Sequence, residues 1–157
     1  MALGRRMIAN DVIMEPEFLK GGSGAQALYM YLALAADSLG IAPVPGVLKT
    51  LGKDGENDKD FRYLVDNGYL VTVPGFEYVA IAHWFHMNTF KNDRDYTTTH
   101  ISFFKMIIRD PYNGLYRVRT QNDPQFDPEK DMPKAKSKTK AEKRPIHRRN
   151  VRSEYEK

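Results

Sequence analysis

Asp58-Lys59-Asp60-Phe61-Arg62-Tyr63-Leu64-Val65-Asp66-Asn67-Gly68-Tyr69-Leu70-Val71-Thr72-Val73-Pro74-Gly75-Phe76-Glu77-Tyr78-Val79-Ala80-Ile81-Ala82 reads as one helix followed by two strands. The helix runs from about Asp58 to Asn67. Asn57 stands before it as an N-cap, Asp58 and Asp60 suit the positive end of its dipole, and Gly68 lies just past its end. Phe61, Leu64 and Val65 make its buried stripe, so Lys59, Arg62, Tyr63 and Asp66 face outward. The runs Tyr69–Val73 and Phe76–Ala82 are β-branched and aromatic, as strands are. They meet at Pro74-Gly75, a type II turn signal that fits strand twist less well than the primed turns and predicts a bulge or a splayed tip.

Upstream, residues 5–20 offer a short first element in which Pro16 opens a helix, Phe18 and Leu19 anchor it, and Gly21-Gly22 ends it. Ser23 and Gln26 have the spacing of a capping box. Ala25, Leu28, Tyr29, Leu32, Ala35, Ala36 and Leu39 follow at three-and-four spacing, with Gly40 where a left-handed C-cap belongs. Met30, Tyr31 and Leu34 make the opposite face apolar too, which predicts a central helix covered on most sides. Pro45 and Gly52 bracket a two-turn helix. Helix, short helix, turn, helix, hairpin is the order of an α+β winged helix-turn-helix, with residues 58–67 as the recognition helix.

Downstream, Val79–Tyr96 begins as a strand, passes the chain's single tryptophan, Trp84, and ends in polar residues. The segment 97–109 holds Ile101, Phe103, Phe104, Met106, Ile107 and Ile108; its length and Thr-rich start favour a helix. Leu115–Thr120 suits a strand. The division expected is a winged-helix DNA-binding domain at 1–120 and a Pro-rich linker with a disordered basic tail at 121–157. Pro124, Pro128 and Pro133 punctuate that linker. Residues 134–152 carry nine Lys or Arg and one acid, Glu142.

The charge is unevenly placed. Residues 1–120 hold 13 Lys+Arg and 13 Asp+Glu, and residues 121–157 hold 11 and 7, so the net +4 belongs to the last segment. Cysteine is absent, which excludes disulfides and thiolate metal sites. The N-terminal stretch lacks the apolar run of a signal peptide, and no stretch approaches the roughly 18 apolar residues of a membrane helix. A cytoplasmic protein with no membrane partner is the expectation.

These features point to a DNA-binding surface and to no catalysis or cofactor. Lys59, Arg62, Tyr63 and Asn67 would reach base edges or phosphates from the recognition helix. Asn88, Lys91, Arg94 and Tyr96 suit the phosphate backbone, as do Arg5 and Arg6. Lys138, Lys140, Arg144, Arg148 and Arg149 of the tail would bind polyanions without sequence preference through counterion release. Glu56, Asp58 and Asp60 oppose this by repelling phosphates, and Asp93 and Asp95 can pair locally with Lys91 and Arg94. His83, His86 and His100 lack the H-E-x-x-H form and read as a structural cluster with Trp84 rather than a zinc site. No Gly-rich phosphate loop, nucleophile elbow or kinase signature is present.

Ile81, His83-Trp84, Asn88, Lys91 and Asp93-Arg94-Asp95-Tyr96 resemble a run characteristic of phage replisome organisers, the DnaD-like replication initiators. Arg5-Arg6-Met7-Ile8, Gln26-Ala27-Leu28-Tyr29, Ala36-Asp37 with Gly40, and Gly68-Tyr69-Leu70 extend the likeness over residues 5–100. The resemblance implies an N-terminal winged helix that binds double-stranded origin DNA, near the nucleoid of a bacterial host. In the family a longer C-terminal part assembles and contacts a replicative helicase or its loader; the resemblance implies the family's functions only for the matching half, which leaves the helicase or its loader and a second copy of the chain, in a homo-oligomer, as candidate partners. Two departures stand out. The Asp-Arg-Tyr run is one residue longer here, and linker and basic tail stand where the family has an assembly domain. A small winged-helix transcription regulator and a protein-interaction adaptor that docks a helicase or host factor are the alternative readings.

Overall fold

The computed structural model describes residues 7–53, 55–88 and 98–132. Three helices come first: a single turn, α1 (Asn10–Ile13); α2 (Pro16–Lys20), with Pro16 in its first turn; and the 14-residue α3 (Gly22–Ala35). Gly22, at φ +77°, turns the chain from α2 into α3. Because α3 starts at Gly22, Ser23 falls inside its first turn and the expected capping box does not form. Gln26 instead donates from Nε2 to the Leu19 carbonyl at 3.4 Å, tying α3 to α2.

Helix α3 also ends earlier than its periodicity predicts, at Ala35, with Ala36 extended. Asp37 ends the helical path: its Oδ1 accepts from the amides of Leu39 (2.9 Å) and Ile41 (3.1 Å), closing a corner. Gly40 is left-handed, at φ +80°, in that corner and not as a helix cap. The corner delivers β1 (Ile41–Pro43), followed by α4 (Val44–Thr50), a 3-10 turn (Gly55–Asn57) and α5 (Lys59–Asp66). The N-cap of α5 is Asp58 and not Asn57, since Asp58 accepts from the amides of Asp60 and Phe61.

The hairpin forms from β2 (Leu70–Thr72) and β3 (Tyr78–Ile81), with Leu70 opposite Ile81 and Thr72 opposite Val79. Pairing stops there, leaving the Pro74-Gly75 turn splayed: Gly75 is at φ +84° and Phe76 N donates to Val73 O at 3.2 Å. Strand β1 pairs antiparallel with the other edge of β3, Ile41 opposite Ala80 and Pro43 opposite Tyr78, so the sheet order is β1-β3-β2.

Beyond it lie α6 (Trp84–Met87) and α7 (Ile101–Phe104), each a single turn. The helix expected over 97–109 gives way at Ile107, where β-branched residues open a second hairpin. Its strands are β4 (Ile107–Arg109) and β5 (Tyr116–Val118), with Ile107 opposite Val118. A last turn, α8 (Pro128–Asp131), lies in the segment read from the sequence as linker. That segment lies against the second hairpin: Arg117 chelates Asp123 through Nη1 (2.6 Å) and Nη2 (2.7 Å), Arg119 Nη2 meets Asp131 at 3.1 Å, and Phe126 stands edge-on to Phe104 at 5.9 Å.

The core is built on α3. Phe18, Tyr29 and Tyr69 meet edge to face at 5.1–6.3 Å, joining α2, α3 and the start of the hairpin. Leu28, Leu32, Leu39, Ile41, Leu48, Leu64, Ile81 and Trp84 are fully buried around them. The opposite face of α3 is not covered: Met30, Tyr31 and Leu34 are 37%, 48% and 63% exposed, contrary to the central position their apolarity suggests. No helix among the described residues is long and apolar enough to cross a membrane.

Candidate nucleic-acid interface

The outward face of α5 follows from its inward one. Phe61 and Leu64 are buried against the core, so Lys59, Arg62 and Asp66, at three-and-four spacing, are turned to solvent. The acidic start of the helix, which would repel phosphates, is folded inward. Asp58 is spent on the cap, and Asp60 is 9% exposed against Gly24, where an added Cβ would strike its carboxylate. Lys53 Nζ bridges both acids, reaching Asp58 Oδ1 at 3.4 Å and Asp60 Oδ2 more closely. The hydrogen bond to Asp60 raises the Lys53 pKa. Burial pushes the Asp58 carboxyl up, but the amides of Phe61 and Asp60, together with Lys53, outweigh it and the net shift is downward.

Arg62 Nη2 donates to Asn57 Oδ1 at 2.8 Å, which holds the guanidinium at the N-terminal end of α5. Arg62 also borders a cavity of about 340 Å³ between α5 and the hairpin tip, walled by Phe61, Val65, Val73, Pro74 and Phe76. Lys59 is exposed one turn before it. These two cations are what the fold brings together.

The other expected contacts are held in structural bonds. Tyr63 is half-buried, its ring fills the space over Gly21 and its hydroxyl donates to the Glu17 carbonyl, so it fastens α2 to α5. Asn67 Nδ2 donates to Tyr63 O at 2.8 Å, closing the C-terminal turn. Asn88 donates to Trp84 O and accepts from Met7 N, each at 3.3 Å, which ties the N-terminal segment to the end of α6. Arg5, Arg6, Lys91, Arg94, Tyr96, Lys138, Lys140, Arg144, Arg148 and Arg149 lie outside the described residues, as does the basic tail.

The histidines do not converge. His83 and His86 have ring centroids 6.2 Å apart, and His100 lies over Tyr78 at 4.1 Å. No three His, Asp or Glu side chains gather as metal ligands among the described residues. His83 is a half-buried side chain whose buried Nδ1 has no hydrogen-bond partner among those residues. Burial lowers its pKa, His86 lowers it further, and Glu15 and Asp11 oppose the shift.

Sequence reading missed two features. Lys53, which cancels the acidic start of α5, sits in a turn with no pattern to mark it. The second hairpin places Arg109 over the Phe85 ring at 4.5 Å and Tyr112 in full solvent; its signal was the turn-forming run Asp110-Pro111-Tyr112-Asn113-Gly114 between two β-branched stretches. The α5 face offers two cations, the chemistry of phosphate contact, although residues 44–67 as a whole carry 4 Lys+Arg against 5 Asp+Glu. No known family, curated protein or solved structure matches the chain.

Proposed function

We propose that the chain is a DNA-binding protein of the winged helix-turn-helix type that acts in the initiation of phage DNA replication. The observation that carries this reading is the outward pair Lys59 and Arg62 on α5, with Asp58 and Asp60 drawn inward onto Lys53. The order α3, β1, α4, α5, β2, β3, with an antiparallel β1-β3-β2 sheet, supports α5 as the recognition helix and the splayed hairpin as the wing. The replication role rests on the His83-Trp84 run and its resemblance to replisome organisers.

The test is fluorescence anisotropy of the full chain on duplex DNA across a salt series. Lys59→Ala and Arg62→Ala each weaken binding, and each lost phosphate contact reduces the log–log salt slope by about 1. Wild-type affinity and slope in both variants would sink the reading. Selection of sites from random duplexes then separates an origin-like repeat array from a promoter.

The uncovered face of α3 favours a second reading, a protein-interaction adaptor. Helix α3 has no charged residue, and Met30, Tyr31 and Leu34 present apolar surface that DNA has no use for. Capture of a helicase or host factor from nuclease-treated lysate, abolished by Leu34→Asp while Arg62→Ala leaves it intact, is the result this reading requires.

A further inference from the structure

Tyr112 is 97% exposed, whereas the next most exposed large apolar side chain among the described residues, Met14, stands at 65%. A ring so placed on a loose loop would fold back onto apolar surface. Here the backbone of the turn is fixed. Asp110 Oδ1 accepts from the amides of Tyr112 (2.8 Å) and Asn113 (3.3 Å), Gly114 N donates to Asp110 O (2.8 Å), and Asp110 N donates to Leu115 O (2.7 Å). Asn113 Oδ1 accepts from Leu115 N (2.9 Å), and its carbonyl is 3.0 Å from His86 Nε2. The tip of the second hairpin therefore carries an aromatic ring out in water on a fixed backbone, and the backbone entropy of ordering that turn is already lost before anything binds.

Beside the ring is a hollow. A cavity of about 450 Å³ is walled by Phe85, Phe104, Ile107, Tyr116 and Pro111, the residue before Tyr112, with Arg109 and the ion-paired Asp123 and Asp131 among its lining groups. That volume lies in the range of roughly 300–1,000 Å³ that small-ligand sites occupy. The charges nearby fall into two sets. Arg117 and Arg119 are neutralised by Asp110, Asp123 and Asp131. Arg109 and Lys105 have no carboxylate within ion-pair distance among the described residues; each lies over an aromatic ring, Phe85 at 4.5 Å and Phe126 at 5.8 Å. Residues 105–119 carry four Lys or Arg and one acid.

We infer that the second hairpin is a single-stranded nucleic-acid site. An unpaired base stacks on Tyr112, a neighbouring base enters the cavity against Phe85 and Tyr116, and the phosphate between them meets Arg109. Aromatic side chains in the wall, a projecting ring and a guanidinium with no carboxylate partner among the described residues together take a flat ring joined to an anion, and a base has its face free only when it is unstacked. The site is remote in sequence from α5 and stands independently of duplex binding there. It would let the chain hold strand-separated DNA.

The experiment uses the full chain and a short oligothymidylate bearing a single 5-iodouracil, with anisotropy for affinity and photo-cross-linking followed by peptide mapping for location. Tyr112→Ala weakens binding by about fivefold to a hundredfold, the range of one lost base stack, and Tyr112→Phe restores it because stacking needs the ring and not the hydroxyl. The cross-link maps to the peptide containing Tyr112. Duplex affinity in Tyr112→Ala stays within about twofold of wild type, a difference well below one stack. Cross-links confined to residues 133–157, or equal oligothymidylate affinity in Tyr112→Ala and wild type, overturn the inference. So does displacement of the oligonucleotide by polyglutamate in a Tyr112-dependent manner without a cross-link at Tyr112, which would make the hairpin a dock for acidic protein.

Discussion

The indole of Trp84 occupies the space that a side chain at Gly40 would need: a Cβ there would lie 2.6 Å from Trp84 Cδ2, and Trp84 Nε1 donates to Ser38 O at 2.9 Å beside it. The corner after α3 and the turn after β3 are thus locked face to face. Gly40→Ala meets two penalties, since the left-handed backbone at φ +80° costs a residue with a Cβ about 1–2 kcal/mol and the indole must also move. A loss above ~2 kcal/mol is expected from urea denaturation followed by the fluorescence of this sole tryptophan. A loss under about 0.5 kcal/mol, the ordinary range of a surface change, would show that the indole has room to yield.

Asp58→Ala removes the cap of α5 and one partner of Lys53. About 1 kcal/mol should be lost, within the usual range of ~0.5–2 kcal/mol for an N-cap, and Asp58→Asn should recover most of it. The folded Asp58 pKa lies below 3.8, so its contribution is fully present above that value and disappears as pH falls through the lower folded pKa. Denaturation curves at neutral pH and in acid would reveal this as a gap between wild type and Asp58→Ala that closes on acidification.

His83 makes stability depend on pH in a different window. Its folded pKa is depressed below 6.5, so between the two values the unfolded chain binds more protons. Stability from the neutral imidazole is therefore complete above 6.5 and falls away as pH drops toward the folded pKa. The melting temperature should decline over this interval in wild type and less so in His83→Phe. An unchanged decline in the variant assigns the effect elsewhere.

Much of the architecture could be read from residue spacing. Phe61, Leu64 and the Pro74-Gly75 turn locate α5 and the hairpin because their patterns are local. Strand β1 was not legible: three residues ending in Pro43 look like a turn, and what makes them a strand is β3, far along the chain. Ile101–Ile108 has no clean period, so a single helical turn followed by a strand could not be told from one helix. At the candidate interface, Lys59 and Arg62 follow from periodicity, whereas the bonds that occupy Tyr63 and Asn88 depend on Glu17, Met7 and Trp84, which no spacing rule connects to them.

Arg117 ties Asp110, in the turn of the second hairpin, to Asp123, in the segment that ends in α8. Hydrogen bonding to Arg117 holds both carboxyls below the usual range. Arg117→Met should free residues 121–132 and speed their amide exchange while leaving the amides of α3 unchanged. Mass spectrometry of exchanging peptides would detect this, and equal protection in both proteins would show that the Arg119–Asp131 pair and the Phe126–Phe104 contact are enough.

In the three-stranded sheet the middle strand is the last to be made. Strands β1 and β2 do not pair with each other, and both wait for Tyr78–Ile81. During synthesis the helical layer leaves the ribosome with two unsatisfied edges, and one strand closes both ladders. The β1–β3 ladder, which pairs Ile41 with Ala80, spans far more chain than the β2–β3 hairpin and is the slower of the two to form. A chain cut before Tyr78 would keep the contacts of α3 with α2, α4 and α5 but leave β1 and β2 without the strand that joins them.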